Sequence, residues 1–155
     1  MSDLRDLYQE VILDHSRQPR NFRRPDHANR EAKGDNPLCG DKVTVFLTVE
    51  DGKVTDVGFQ GRGCAISMAS ASLMTDIIRG KSEAEARSLF ERFHDEMTGK
   101  SACHGAAAGE LDKLTVLSGV RDYPMRVKCA TLSWHTLMAA LNKQDGVSTE
   151  GDDRL

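Results

Sequence analysis

Two runs of alternating apolar and polar residues, joined by a tight-turn dipeptide, constrain the fold more than any other feature of this sequence. The first run covers residues 43–49 and the second covers residues 55–59. Between them, Asp51-Gly52 is a dipeptide typical of two-residue β-hairpin turns. Alternation with a period of two is typical of strands that bury one face. The sequence therefore predicts an antiparallel hairpin.

The residues before the hairpin predict one helix and one weak strand. From Leu4 to Ile12 the apolar residues recur at helical spacing, and this helix should end before Pro19. A third strand of the sheet is expected over residues 29–33, although its apolar content is thin.

Helical patterns dominate the chain after the hairpin. Segments with helical periodicity cover residues 65–79, 82–93 and 124–141, and a short helical turn is expected over residues 111–117. Ser82 followed three residues later by Glu85 predicts a capping box at the start of the second segment. Strands and helices are therefore segregated along the chain, which is typical of an α+β domain. We predict a small three-stranded antiparallel sheet packed against about five helices.

Length and composition are those of one globular domain. The chain has 155 residues, of which 39% are hydrophobic and 29% charged. We expect a single domain over residues 1–145 and a disordered, polar and acidic tail over residues 146–155. No apolar run approaches the roughly 18 residues of a membrane span, and the N-terminus lacks the pattern of a secretory signal. A cytoplasmic protein with no membrane partner is expected.

The charge distribution argues against nucleic acid as a partner. The formal net charge is −3, so the chain has no general attraction to phosphate backbones. A basic cluster is formed by Arg17, Arg20, Arg23 and Arg24, with Phe22 as its one aromatic neighbour. We interpret this cluster as a solvated surface or a protein-docking patch.

Four cysteines in a chain expected to be cytosolic indicate metal binding or thiol chemistry rather than disulfides. Three of them lie at the edges of predicted elements. Cys39 follows a proline in a turn before the hairpin, Cys64 lies at a strand-to-helix junction, and Cys129 lies near the start of the last helix. A thiolate at a helix N-terminus is stabilised by backbone N–H groups and the helix dipole. These cysteines are candidate metal ligands.

Asp41 is the candidate for a fourth ligand. Zinc takes four nitrogen, sulfur or oxygen donors in tetrahedral geometry, which three thiolates and one carboxylate satisfy. In an extended backbone Asp41 and Cys39 would point to the same side. The cysteine spacings match no simple paired zinc motif, however. The residues alone thus leave a metal or reactive site and buried structural cysteines as open alternatives.

Each of these three cysteines lies in a longer motif. The motifs are Asn36-Pro37-Leu38-Cys39-Gly40-Asp41, the segment from Gly61-Arg62-Gly63-Cys64-Ala65 to Ser72, and Arg126-Val127-Lys128-Cys129-Ala130. Together they resemble the U-type iron–sulfur assembly scaffold family, which includes IscU, SufU and the NifU N-terminal domain. The resemblance runs from Leu4 to about Asn142, and it implies an IscU/SufE-like fold.

Two departures from IscU-type scaffolds make the chain similar to the SufU branch. Lys128 occupies the position where those scaffolds carry a histidine, and residues 94–112 form an insertion. The SufU resemblance implies zinc held by the ligand set Cys39, Asp41, Cys64 and Cys129. It also implies that Cys39 accepts sulfur from a SufS-type cysteine desulfurase and that downstream iron–sulfur assembly proteins receive it. We therefore expect a zinc-dependent sulfurtransferase, a relay rather than an independent enzyme.

Two alternatives use the same four residues. They would hold a [2Fe–2S] cluster in a scaffold protein, or a zinc ion that only stabilises the fold. The roles of Cys103 and His104, which lie in the insertion, and of Arg126 and Lys128, which flank Cys129, are left open by the sequence.

Overall fold

The computed structural model describes residues 2–36, 40–98, 124–143 and 146–148. These stretches contain four helices and four strands. The helices are α1 (Ser2–Arg17), α2 (Ala65–Ile78), α3 (Glu83–Thr98) and α4 (Pro124–Leu141). The strands are β1 (Arg30–Asn36), β2 (Asp41–Glu50), β3 (Lys53–Arg62) and β4 (Gly146–Ser148). The sheet order is β3-β2-β1-β4, with the first three strands antiparallel and β4 parallel to β1. The predicted α+β fold with a three-stranded antiparallel sheet is confirmed.

The β2–β3 hairpin forms as predicted because its two turn residues adopt positive φ angles, which most residues avoid. Asp51 and Gly52 have φ angles of 53° and 77°. Positive φ at both central residues matches the strand twist in a two-residue hairpin turn. The pairing sets Val45 opposite Phe59. Both side chains are fully buried in the core that the helices cover.

Strand β1 extends three residues beyond the predicted segment. Its sequence is poor in apolar residues, so strand periodicity marks it weakly. Backbone pairing with β2 sets its length instead, from Arg30 opposite Leu47 to Asn36 opposite Asp41. This extension brings Asn36 to the end of the sheet where the candidate ligands lie.

Helix α4 approaches β1 closely at a glycine. A Cβ atom added to Gly34 would collide with Oγ1 of Thr136. The fully buried Trp134 and Leu137 of the same helix belong to the core. Close contact between helix and strand thus seats α4, and with it Cys129, against the end of β1.

Two predictions need comment at the C-terminal side. Residues 146–148 do not belong to a disordered tail, because they pair in parallel with Lys33, Gly34 and Asp35 of β1. Backbone hydrogen bonding at a sheet edge needs no apolar pattern, which is why the sequence did not indicate this strand. The remaining tail residues and the helical turn expected over 111–117 lie outside the described residues. Within the described stretches, none of the helices combines the length and apolar character needed to cross a membrane.

Candidate metal centre

Three of the four candidate ligands meet where three elements begin. Asp41 is the first residue of β2, Cys64 immediately precedes α2, and Cys129 lies near the start of α4. Their ligand atoms all lie within 4.8 Å of one another. In the part of the chain that the structure describes, no other set of three or more His, Cys, Asp or Glu side chains is grouped closely enough to hold a metal.

Asp41 is a buried carboxylate held at the start of α2. Its side chain is fully buried. Oδ1 accepts a hydrogen bond of 2.9 Å from the backbone N–H of Cys64, and Oδ2 lies 3.9 Å from the Cys64 Sγ atom. A Cβ atom on Gly63 would lie 2.7 Å from Asp41 Oδ1. The absence of a side chain at residue 63 therefore makes room for the carboxylate.

Cys64 is the N-cap residue of α2 and the exposed member of the group. Its Sγ atom accepts a hydrogen bond of 3.4 Å from the backbone N–H of Ser67. The pKa of Cys64 is lowered to about 7, and the largest cause is the hydrogen bond from the Cys129 thiol. Backbone N–H groups of Ser67 and Ile66 also lower this pKa, whereas burial and the Asp41 carboxylate raise it. The thiolate form of Cys64 is thus favoured over that of an ordinary cysteine.

Cys129 is the buried member of the group, with 3% of its surface exposed. The side-chain Nδ2 of Asn36 donates a hydrogen bond of 3.7 Å to its Sγ atom. Asn36 is itself fully buried and lies opposite Asp41 in the β1–β2 pairing. Neither Asn36 nor Gly63 was identified as a site residue from the sequence. Asn36 is a polar residue at an inward-facing strand position, which is a signal for a functional residue. The signal could be used only if β1 were known to extend to residue 36.

The donor set fits a zinc ion. Two thiols and one carboxylate supply three of the four donors that tetrahedral zinc takes. The buried carboxylate adds a hard donor to the two soft ones.

The remaining predicted site residues are only partly covered by the structure. Cys39 lies outside the described residues, so its assignment as a ligand and sulfur acceptor stays a prediction. Cys103 and His104 also lie outside them, and their roles stay open. Gly40, the residue after Cys39, donates its backbone N–H to the carbonyl of Asn36 at 2.8 Å. Arg126 is exposed and Lys128 is half-buried on the α4 turn that carries Cys129.

Fold and ligand group together define an α+β domain with a thiol and carboxylate centre at one end of its sheet. A family model described as the NifU-like N-terminal domain matches residues 7–143. The chain belongs to this family, whose relatives include proteins named as IscU and SufU. It is therefore a member of an iron–sulfur cluster assembly family.

Individual relatives cover nearly the whole chain. The zinc-dependent sulfurtransferase SufU of Bacillus subtilis is 39% identical over 94% of this chain and 96% of its own. The iron–sulfur cluster assembly scaffold protein IscU of Thermotoga maritima is 41% identical over 88% of this chain and 94% of its own. A solved structure of a candidate iron–sulfur cluster assembly scaffold protein for the SUF system, from Fervidobacterium islandicum AW-1, superposes with a TM-score of 0.76. It is 36% identical and covers 85% of this chain and 94% of that one.

Proposed function

We propose that this protein is a zinc-dependent sulfurtransferase of iron–sulfur cluster assembly. In this proposal Cys39, Asp41, Cys64 and Cys129 hold the zinc ion, and Cys39 accepts persulfide sulfur from a SufS-type cysteine desulfurase. The observation that carries the proposal is the approach of three of these donors to within 4.8 Å of one another. Identity of 39% with a protein named as a zinc-dependent sulfurtransferase supports the same choice.

The chemistry that zinc would supply is to keep the thiolates deprotonated at neutral pH and protected from oxidation. The protein's own contacts then distinguish the cysteines. Cys64 is held by the Ser67 N–H group at the start of α2, and Cys129 is buried and bonded to Asn36. Cys39 stands in the connection between β1 and β2, next to Gly40. Because the other two cysteines are anchored, Cys39 is the proposed acceptor.

The proposed transfer is redox-neutral. The Cys39 thiolate attacks the outer sulfur of the persulfide on the desulfurase, and a new S–S bond forms. The S–S bond within the donor breaks, and its electron pair leaves on the donor's cysteine as a thiolate. The proton stays on the outer sulfur, which is now bonded to Cys39, so atoms and charges balance.

A single-turnover reaction with a loaded desulfurase tests the acceptor. Wild-type protein should gain one sulfur atom at Cys39, measured by mass spectrometry of peptides, and should raise desulfurase turnover. Cys39→Ala should gain none and should lose the stimulation. Cys103→Ala is the matched control, and it should behave as wild type. Persulfide accumulating at Cys64 of the Cys39→Ala variant at the wild-type rate would contradict the assignment.

A scaffold that assembles a [2Fe–2S] cluster on the same ligands is the second candidate. The 41% identity with a protein named as an IscU scaffold favours it, and cysteine-rich sites suit such clusters. Lys128 and the insertion over residues 94–112 favour the zinc protein, because both are departures from IscU-type scaffolds, which carry a histidine at the position of Lys128. Zinc proteins are colourless, whereas a cluster absorbs visible light. Stoichiometric iron and sulfide in the purified protein would reverse our ranking.

A further inference from the structure

Asn36 is a fully buried amide at the end of β1. Burying a polar group is costly unless it forms hydrogen bonds. Its Nδ2 group donates to the Sγ atom of Cys129 at 3.7 Å, which joins residues 93 positions apart in the chain. The amide therefore makes a specific contact with a proposed ligand rather than filling space.

The backbone of Asn36 makes a second connection to the centre. Its carbonyl accepts a hydrogen bond of 2.8 Å from the N–H group of Gly40, and its strand partner is Asp41. One residue thus fixes the return of the chain into β2 and contacts the buried thiol of α4.

We propose that Asn36 is a positioning residue that keeps Cys129 in place as a metal-bound thiolate. This inference rests on the proposed function. A hydrogen bond to a thiolate withdraws electron density from the sulfur and orients its lone pairs. Cys129 is thereby disfavoured as a nucleophile, which reserves sulfur acceptance for Cys39. Loss of such an outer-shell partner typically lowers metal affinity by about 10–100-fold.

Competition for zinc with a chromophoric chelator measures this effect directly. Asn36→Ala should lower the zinc affinity by about 10–100-fold. The matched control is Asn29→Ala, because Asn29 forms two side-chain hydrogen bonds of 2.9 Å with the backbone of Val49, away from the centre. Asn29→Ala should lower the melting temperature and leave the zinc affinity within about twofold of wild type, well inside the outer-shell range.

Cobalt substitution gives a readout that a general loss of stability does not move. The thiolate-to-cobalt charge-transfer band should move to longer wavelength in Asn36→Ala, because the sulfur loses its hydrogen bond and becomes easier to oxidise. The band should stay in place in Asn29→Ala. Persulfide should also appear at Cys129 in Asn36→Ala when the desulfurase is supplied.

A second variant covers the case in which Asn36→Ala does not fold. Asn36→Asp keeps the side-chain shape and replaces the N–H donor by an acceptor oxygen, so it should show the same losses. A folded variant with wild-type zinc affinity and an unmoved cobalt band would overturn the inference. Failure of both variants to fold in the presence of zinc would also overturn it, because Asn36 would then act in folding alone.

Failure of the proposed function can be told apart from failure of this inference. If wild-type protein does not bind stoichiometric zinc, the proposed function fails. The Asn36 contact is then tested in metal-free protein by NMR. Cys129→Ala should shift the side-chain amide signals of Asn36 and leave those of Asn29 in place. Unshifted Asn36 signals would overturn the inference independently.

Discussion

Helices α2 and α3 begin with the same hydrogen-bonding arrangement built from different groups. Before α3, Ser82 Oγ accepts from the Glu85 N–H at 3.1 Å, and the Ser82 N–H donates to Glu85 Oε1 at 2.9 Å. This is the capping box that the sequence predicts. Before α2, Cys64 Sγ accepts from the Ser67 N–H, and the Cys64 N–H donates to Asp41 Oδ1. Here the carboxylate comes from β2 rather than from the helix.

The cap of α3 only stabilises its helix, whereas the cap of α2 also contains two candidate metal ligands. The α3 cap closes within four residues, and its first turn contains Glu83 and Glu85. The first turn of α2 contains no acidic residue, so its N-terminus depends on the distant Asp41. Because that carboxylate must be brought in by the fold, a sulfur atom and a carboxylate oxygen come together at a helix N-terminus. The same backbone geometry therefore yields stability at α3 and candidate ligands at α2.

Removing the Asp41 carboxylate should have the largest effect, because it acts both in the α2 cap and as a proposed ligand. Asp41→Ala should lower zinc affinity by more than the roughly 10–100-fold typical of outer-shell changes, because a proposed ligand is lost. It should also destabilise the metal-free protein by about 1–3 kcal/mol, since the Cys64 N–H loses its acceptor. Zinc content after dialysis and thermal unfolding measure the two effects.

Asp41→Asn separates the two roles of this residue. The amide oxygen can still accept from the Cys64 N–H, so metal-free stability should stay close to wild type while zinc affinity falls. Stoichiometric zinc retained by Asp41→Ala after dialysis would argue against ligation by this carboxylate.

Changing the two cap residues one at a time should separate helix stability from metal binding. Ser82→Ala should destabilise the protein by about 1 kcal/mol, as expected for a lost N-cap, and leave zinc affinity unchanged. Cys64→Ser should keep or improve the stability of the metal-free protein, because serine caps helices well. It should nevertheless weaken zinc binding. Denaturant unfolding of both variants without metal, followed by zinc titration, makes the comparison.

Equal zinc affinity in Cys64→Ser and wild type would place the metal elsewhere. A loss of zinc affinity in Ser82→Ala would show instead that the two caps are not independent.

The pH dependence of Cys64 reactivity gives the smallest predicted effect. Its pKa is lowered to about 7, so the thiolate is present above this pH and is protonated below it. In metal-free protein, alkylation of Cys64 should therefore rise from pH 6 to pH 8 with a midpoint at about 7, against about 8.5 for an ordinary cysteine. Peptide mapping by mass spectrometry follows Cys64 separately from the other cysteines.

Cys129→Ala provides the control, because it removes the hydrogen bond that lowers the pKa of Cys64 most. The alkylation midpoint should move to higher pH in this variant. An unmoved midpoint would mean that the backbone N–H groups of α2 alone stabilise the thiolate.

The sequence predicts features that depend on local chemistry and misses those that depend on distant pairing. The Asp51-Gly52 turn, the Ser82 and Glu85 cap and the place of Cys64 before a helix all follow from neighbouring residues, and all are found. The full length of β1 and the strand β4 arise from backbone pairing with little apolar pattern, so they were missed in part or entirely.

The same contrast between local and distant features applies to the residues of the candidate centre. Residue type and motif singled out Asp41, Cys64 and Cys129 as candidates, and the structure brings them together. The hydrogen bond between Asn36 and Cys129 joins residues far apart in the chain, and no local pattern encodes it. The space that Gly63 leaves for the carboxylate is equally invisible until β2 and α2 are placed together.

The close packing of Gly34 against Thr136 has a consequence for the geometry of the candidate centre. The contact is between a backbone and a helix, so it limits how far α4 can slide along β1. Cys129 is carried by that helix, and its distance from the donors on β2 and before α2 is therefore set by the scaffold. The absence of a side chain at Gly34, two residues before Asn36, thus helps to fix the position of Cys129 relative to Asp41 and Cys64.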